Sequence, residues 1–160
     1  MSYQIVAISK EYDASVSDII KSVGAEYGAV GEGYGPSDPE VDCMSEHYNE
    51  QTSSLYLVAI IDDIVVGGCG IAQFADDDCV CELRKLFLLP ESRGLGIGKA
   101  LTEQCLNFAK SKGYLQCYLD TLSNMQSAVS LYERLGFHHL AQPLAETVHN
   151  SCDVWMLKTL

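Results

Sequence analysis

Residues 82–101 read ELRKLFLLPESRGLGIGKAL, an apolar strand that leads through a glycine-rich turn into an amphipathic helix. Glycines directly ahead of a helix allow the unpaired N–H groups of its first turn to approach an anion closely. Arg93 and Lys99 place positive charge on either side of this turn, where the helix dipole disfavours cations. A bound polyanion would remove that conflict, so the turn predicts a phosphate-binding site.

Two familiar phosphate-binding motifs do not fit this turn. A P-loop requires glycine at the position of Arg93 and serine or threonine at the position of Ala100. A Rossmann turn places its third glycine one residue after Gly98 and begins a fold that needs more sequence than follows here. The pattern that fits without adjustment is Arg93-x-x-Gly96-x-Gly98.

This pattern is similar to the R/Q-x-x-G-x-G/A segment of the GCN5-related N-acetyltransferases, the GNAT superfamily, which bind acetyl-CoA through it. A second block, AVSLYERLGF at residues 128–137, resembles the A-x-x-L-Y-x-x-x-G-F helix–strand junction of the same family. The two blocks follow each other in the family's order, and the resemblance covers roughly residues 54–158. It implies an acetyl-CoA-dependent N-acetyltransferase, a transferase of the acyltransferase class.

Hydrophobic patterns and turn residues predict strands and helices in the order βααβββαβαββ. Asp62-Asp63 between two apolar strands predicts a β-hairpin. Residues 41–49 are predicted as a short helix, and residues 75–79 as a polar turn. The order corresponds to an α/β (α+β) fold with a mixed, largely antiparallel central sheet of six to seven strands and about four flanking helices. The resembled family uses the same order.

The composition predicts a single domain over residues 1–160, since a chain of 160 residues with 48% hydrophobic content can bury a substantial core. No apolar run approaches the roughly 20 residues of a membrane span. The first residues lack the basic and apolar regions of a signal peptide. Seven cysteines, an odd number, favour buried thiols in a reducing compartment over a disulfide framework. We therefore expect a cytoplasmic protein without a membrane partner.

The formal net charge of −12 disfavours binding to nucleic acid, because such binding depends on neutralising phosphates. Residues 31–50 carry six acidic residues and no Lys or Arg. This segment predicts a cationic acceptor, either a small polyamine-like or amino-sugar compound or a peptide amine, although an acidic surface also serves solubility alone. The basic residues are predicted to cluster around the phosphate site. They are Arg84, Lys85, Arg93 and Lys99.

Acetyl transfer from a thioester to an amine requires a base for the acceptor ammonium and an acid for the leaving thiolate. Tyr132 matches the tyrosine that acts as general acid in the resembled family, and its alternative role is a core tyrosine. Glu82 matches the glutamate that some members use as a base, directly or through a water. Its alternative role is an ion pair with Arg84, two residues further on the same strand face.

The resemblance also implies that the strand before the turn separates from its neighbour and binds the pantetheine arm through its backbone. Members of the family often carry an asparagine seven residues before the tyrosine, where this chain has Met125, and Asn124 is offset by one position. The cofactor-binding residues expected on this basis are Leu86, Phe87, Leu88, Arg93, Gly94, Leu95, Gly96, Ile97, Gly98, Lys99, Asn124 and Tyr132.

These inferences predict an N-acetyltransferase that works by direct transfer in a ternary complex. Its co-substrate is acetyl-CoA, the acetyl thioester of coenzyme A, and no metal is expected. A homodimer is a reasonable expectation for a soluble enzyme. Two alternatives stay open: a non-catalytic acyl-CoA-binding module, and a metal-binding protein. The metal ligands would be His138, His139, His149 and Cys152, or Cys79-x-Cys81, but their spacing does not match common zinc sites. Residues 149–152 are also candidates for the acceptor pocket.

Overall fold

The structure, a computed structural model that describes residues 2–160, is built on one seven-stranded sheet. The strands are β1 (Gln4–Ala7), β2 (Leu55–Ile61), β3 (Ile64–Phe74), β4 (Asp77–Leu88), β5 (Gln116–Thr121), β6 (His138–His139) and β7 (Val154–Thr159). They lie in the order β1-β2-β3-β4-β5-β7-β6, and all neighbours are antiparallel except β4 and β5. The predicted mixed, largely antiparallel sheet is confirmed.

Three α-helices and one longer 3-10 helix pack on this sheet: α1 (Asp13–Glu26), α2 (Ile97–Ser111), α3 (Gln126–Arg134) and the 3-10 helix Pro39–Glu46. The other four 3-10 helices in residues 2–160 have three residues each: Lys10–Tyr12, Gly35–Ser37, Glu50–Thr52 and Pro90–Ser92. One face of the sheet is covered by α1 and the 3-10 helix Pro39–Glu46, and the other face by α2 and α3. In β2, for example, Val58 packs with α1 and Ala59 with α2. Because both faces are covered, the central strands are apolar throughout instead of alternating.

Two connections determine where the strand-turn-helix segment lies. The β2–β3 hairpin turns at Asp62 and Asp63, whose φ angles of 49° and 65° suit the tight turn predicted there. The chain then leaves β4, crosses one face of the sheet as α2 and returns as β5. This crossover makes β4 and β5 parallel, and it places the glycine-rich turn at the end of β4.

The sequence predicted a short helix at residues 41–49. The structure has a 3-10 helix there, and its bounds are Pro39–Glu46. Cys43 interrupts it with φ −150° and ψ 55°, while Asp13 accepts hydrogen bonds from the backbone N and the hydroxyl of Ser45 at 2.8 and 2.6 Å. These tertiary bonds replace a regular helical ladder. The polar turn predicted at residues 75–79 is also shorter, because Asp77 already pairs with Phe74 in the sheet.

All seven cysteines are free thiols, and four of them lie in the core between the sheet and α2. Those four are Cys69, Cys81, Cys105 and Cys117. They pack as small hydrophobic side chains, as expected. Across residues 2–160, no helix combines the length and the apolar character that a bilayer crossing requires.

Candidate active site

The two parallel strands β4 and β5 separate halfway along their length. In the described part of the chain, their pairing covers Val80 to Glu82 on β4 and ends where Glu82 faces Tyr118. Beyond this point β4 continues to Leu88 with β3 as its partner, and its other edge is free. The separation of β4 from β5 that the sequence resemblance implied is present, and Glu82 is the last residue of β4 that pairs with β5.

A β-bulge at Lys85 reorients the end of β4. Arg84 pairs with Gly70 and Phe87 with Gly68, so two residues of β4 face one residue of β3. Lys85 has φ +53°, and its carbonyl accepts a hydrogen bond from the Tyr56 hydroxyl at 2.9 Å. The extra residue brings Arg84 and Lys85, which are consecutive in sequence, to the same face of the sheet.

Two glycines of β3 make room for the tyrosine that holds this bulge. A Cβ atom on Gly68 or Gly70 would approach ring carbons of Tyr56 at 2.5 or 2.6 Å, which no side chain tolerates. The ring of Tyr56 is fully buried. The bulge therefore depends on glycine at two positions of the neighbouring strand as well as on β4 itself.

The glycine-rich turn presents a row of backbone donors. Arg93 N donates to Pro90 O, and Ala100 N donates to Gly96 O. Between these two, the N–H groups of residues 94–99 have no acceptor within residues 2–160, and the N-cap residue Gly96 has no side-chain capping bond. Gly94 and Gly96 adopt φ angles of +80° and +82°, which favour glycine. The turn is thus a cradle of unpaired donors at a helix N-terminus.

The basic side chains do not cluster around this turn as the sequence predicted. Arg93 makes a bidentate ion pair with Glu26 at 2.8 and 2.9 Å and donates to the Leu88 carbonyl. Lys99 lies 3.9 Å from Glu103 on the solvent side of α2. Because of the bulge, Arg84 and Lys85 point into a different pocket. The cradle therefore consists of backbone dipoles with little side-chain charge.

Tyr132 lies on the buried side of α3, in the core that α3 shares with α2. It is 6% exposed, and its ring packs against Phe137 with a centroid distance of 5.8 Å. Burial raises the pKa of its hydroxyl well above the ordinary value. Within the described chain this hydroxyl has no hydrogen-bond partner, yet it is not sealed from solvent. A protonated donor without an internal acceptor is suited to act on a bound molecule.

A small cavity of about 70 Å³ opens between the separated halves of β4 and β5. Its walls are the end of β4 from Glu82, the end of β5 from Asp120, and two loops that carry Tyr34 and His149. The wider groove beside the β3–β4 turn contains none of the predicted site residues. The side chains that line the cavity include Tyr34, Glu82, Arg84, Lys85, Phe87, Asp120, Met125, His149 and Cys152.

Glu82 has two different neighbours in this cavity. Its Oε1 atom accepts from Arg84 Nε at 2.8 Å, and its Oε2 atom lies 3.7 Å from His149 Nδ1. Burial raises the pKa of the Glu82 carboxyl, although the charge of Arg84 opposes this. The ion pair with Arg84, one of the two roles considered for Glu82, is present, and the second oxygen is left for other chemistry.

His149 connects both walls of the cavity. Its Nδ1 atom is 2.9 Å from Asp120 Oδ1 and its Nε2 atom 2.8 Å from Asp38 Oδ2. Burial favours the neutral ring, but the hydrogen bonds with Asp120 and Asp38 outweigh it and raise the pKa of His149 to about 10. Both ring nitrogens therefore donate to carboxylates, and the ring is a cation at neutral pH.

Two carboxylates of the acidic segment pair with cationic side chains that line this cavity. Asp38 lies 2.8 Å from Lys85 Nζ, and Glu40 lies 3.7 Å from Arg84 Nη1 and 3.6 Å from Lys85 Nζ. Burial opposes the ionisation of Asp38, but His149 and Lys85 lower its pKa. The other acidic residues of the segment are exposed: Glu32, Asp42, Glu46 and Glu50.

Several predicted site residues have other partners than expected, and some site residues were missed. Asn124 donates to the Tyr27 carbonyl at 2.9 Å, so its amide is used within the protein. Asp120 and Asp38 carry no motif. The position of Asp120 at the end of a strand parallel to β4 was a usable signal, whereas nothing local marked Asp38.

Among residues 2–160, no group of three potential metal ligands includes His138, His139 or Cys152.

Comparison with known proteins is consistent with this geometry. The sequence model of the acetyltransferase (GNAT) family matches residues 23–137. The Escherichia coli protein YjgM, an uncharacterized N-acetyltransferase, is 37% identical over 148 residues, which cover 91% of this chain and 88% of that protein. N-acetylaspartate synthetase of Xenopus tropicalis is 36% identical over 97 residues, 61% of this chain and 35% of the relative. The PaiA N-acetyltransferase of Thermoplasma acidophilum, solved with coenzyme A, shares the fold with a TM-score of 0.76, 23% identity and full coverage of both chains.

Proposed function

This chain belongs to the GNAT acetyltransferase family, and on that premise we propose that it transfers an acetyl group from acetyl-CoA directly to an amine in a ternary complex. The observation that carries the proposal is the row of unpaired N–H groups at residues 94–99. Donors at a helix N-terminus suit a pyrophosphate, and the free edge of β4 next to them suits the pantetheine amides. Leu86, Phe87 and Leu88 supply that edge.

Tyr132 is the proposed general acid. Its hydroxyl stays protonated because burial raises its pKa, and it has no internal acceptor within the described chain. It would give its proton to the sulfur as the thioester bond breaks, so that coenzyme A leaves as a thiol. The same hydroxyl would approach the bound co-substrate from α3, whose Leu131 side chain lies beside Gly98 of the cradle.

Glu82 is the proposed general base. An amine acceptor arrives as an ammonium ion and must lose a proton before its lone pair attacks the acetyl carbonyl. Glu82 Oε2 would take this proton, directly or through a water. The raised pKa of the buried carboxyl makes it a stronger base than an exposed glutamate, and the pair with Arg84 at Oε1 keeps it in place.

The sequence-based proposal for the acceptor is a cationic amine. Glu82 and Asp120 support it, since both residues line the cavity. Asp38 adds negative charge next to two other lining residues, Lys85 and His149. A second candidate is an acceptor that carries a carboxylate of its own, such as an amino acid. Arg84 and Lys85 favour it, because the bulge directs both cations to the cavity. The name of the Xenopus relative indicates a product of this kind for that protein.

A matched acceptor panel tests the function and separates the two candidates. Release of free thiol from acetyl-CoA is measured with polyamines, with amino acids and with the corresponding amino-acid amides, which lack the carboxylate charge. Thiol release with any amine supports acetyl transfer. A preference for amides and polyamines supports the cationic acceptor, a preference for the free acids supports the second candidate, and no release with intact coenzyme A binding would favour a non-catalytic binding module.

Three further proposals concern the protein as a whole. We infer that one acetyltransferase domain occupies residues 1–160, and that the protein works in a reducing compartment such as the cytoplasm, as its seven free thiols suggest. A homodimer stays a prediction. Light scattering after size-exclusion chromatography measures the mass in solution and tests it.

A further inference from the structure

A cluster of three potential metal ligands lies outside the acetyl-transfer site, at the end of the 3-10 helix Pro39–Glu46. Cys43, Glu46 and His47 offer a thiol, a carboxylate and an imidazole, and their ligand atoms all lie within 4.8 Å of one another. Glu46 and His47 are exposed, and Cys43 is half-buried. Cys43 lies at the interruption of the 3-10 helix and His47 is its C-cap residue, so the local chain path, and not a regular helical repeat, brings the three side chains together.

The distances suit a tetrahedral ion. Cys43 Sγ and His47 Nε2 are 3.5 Å apart. A zinc ion lies about 2.3 Å from a thiolate sulfur and about 2.05 Å from an imidazole nitrogen. At a tetrahedral angle, these two bond lengths place the sulfur and the nitrogen about 3.6 Å apart. The exposed Glu46 side chain can rotate to complete a third ligand. Thiolate, imidazole and carboxylate together are donors that zinc accepts.

The tertiary structure holds this cluster in place. Ser45, which lies between the ligands, is fixed to Asp13 at the start of α1 by two hydrogen bonds of 2.8 and 2.6 Å. Met44 and Tyr48 on either side are buried in the core. The backbone that carries the three ligands is therefore anchored, while the ligands face solvent. A site of this kind is largely formed before an ion binds.

The surrounding charge favours a cation. Three carboxylates act on Cys43, those of Glu46, Asp13 and Asp42. Their negative charge attracts an ion with two positive charges. Lys21 is the nearby cation, and it is paired with Asp42 at 2.6 Å.

We propose that Cys43, Glu46 and His47 form a zinc-binding site with a fourth position open to water. The site lies on the segment whose Glu40 pairs with Arg84 and Lys85 of β4, so a bound ion would stabilise that segment. It requires neither Tyr132 nor the glycine-rich turn, and it is independent of the acetyl transfer proposed above.

Zinc titration of the purified full chain, followed by calorimetry and elemental analysis, tests this site. We expect one ion per chain in the wild type and an affinity at least about tenfold lower in Cys43→Ser and in His47→Gln. Zinc should also raise the thermal unfolding midpoint of the wild type, and raise it less in either variant. Circular dichroism checks that the variants fold.

Cys79→Ser is the matched control. Cys79 is an exposed thiol beside Asp77 and Asp78, and it should not contribute. The proposal is overturned if the wild type shows no saturable binding, if Cys43→Ser and His47→Gln bind zinc as the wild type does, or if Cys79→Ser loses as much affinity as Cys43→Ser. Coenzyme A binding is measured in the same samples and should be unchanged in every variant, which keeps this result separate from the acetyltransferase assignment.

Discussion

His149 Nε2 lies 2.8 Å from Asp38 Oδ2, although 111 positions separate the two residues in the chain. Asp38 belongs to the glycine-rich loop after α1, and His149 to the loop before β7. Ser151 joins the same loops by donating its backbone N–H to the Gly33 carbonyl at 3.1 Å. A contact between two loops therefore borders the cavity between β4 and β5. Asp38 links its loop to Lys85 of β4, and His149 links the other loop to Asp120 of β5.

The pH dependence of stability should report this contact. The pKa of His149 is raised from 6.5 to about 10, so its stabilisation is fully present below pH 6.5 and is lost as the pH rises towards 10. We expect the free energy of unfolding to fall by a few kcal/mol across this window, as measured by urea titration. His149→Gln should be less stable at neutral pH and should lose most of this dependence. An unchanged pH dependence in the variant would contradict the assignment.

Gly96→Ala should weaken coenzyme A binding. Gly96 has φ +82°, and an alanine in this conformation costs about 1–2 kcal/mol, so the donor row moves away from its binding geometry. We expect the Kd measured by calorimetry to rise on the order of tenfold. Gly113→Ala is the control, because Gly113 has a similar φ of +87° but lies after the C-terminal end of α2, outside the cradle. Equal losses in both variants would argue against the cradle.

Tyr132→Phe should lower kcat on the order of 100-fold while the Kd of coenzyme A is unchanged. The substitution removes the proton donor but keeps the ring that packs against Phe137. Tyr114→Phe is the control, since its hydroxyl donates to the Ser53 carbonyl outside the cavity. Steady-state kinetics with the best acceptor measures both. Full activity of Tyr132→Phe would remove this residue as the acid.

Glu82→Gln should lower kcat/KM and flatten the acidic side of its pH profile. In the wild type, activity should decline as the pH falls through the pKa of Glu82, which burial raises above 4.5. Glutamine keeps an oxygen for Arg84 but cannot accept a proton. If Glu82 serves only as the partner of Arg84, the variant will change the unfolding midpoint and leave the profile intact, so the two measurements distinguish the roles.

Local sequence patterns were enough to predict the elements whose conformation depends only on nearby residues. The apolar strands, the Asp62-Asp63 turn and the glycine turn before α2 follow from side-chain period and from φ angles that glycine and aspartate tolerate. The family resemblance implied the separation of β4 from β5, whereas the lateral order of the strands came from the structure. The short helix predicted at residues 41–49 is a 3-10 helix with the bounds Pro39–Glu46. Local patterns did not give its type or bounds, because Asp13, a distant residue, holds Ser45 by two hydrogen bonds.

The sequence by itself determined the strand-turn-helix unit, the antiparallel sheet and the positions of Glu82 and Tyr132 within them. The tertiary structure alone decided which charges meet. The extra residue at the Lys85 bulge directs Arg84 and Lys85 to the cavity between β4 and β5 instead of the expected phosphate site, and Arg93 pairs with Glu26 of α1. The physical reason is that backbone geometry depends on adjacent residues, whereas the partner of a buried charge depends on chain segments brought together only by folding.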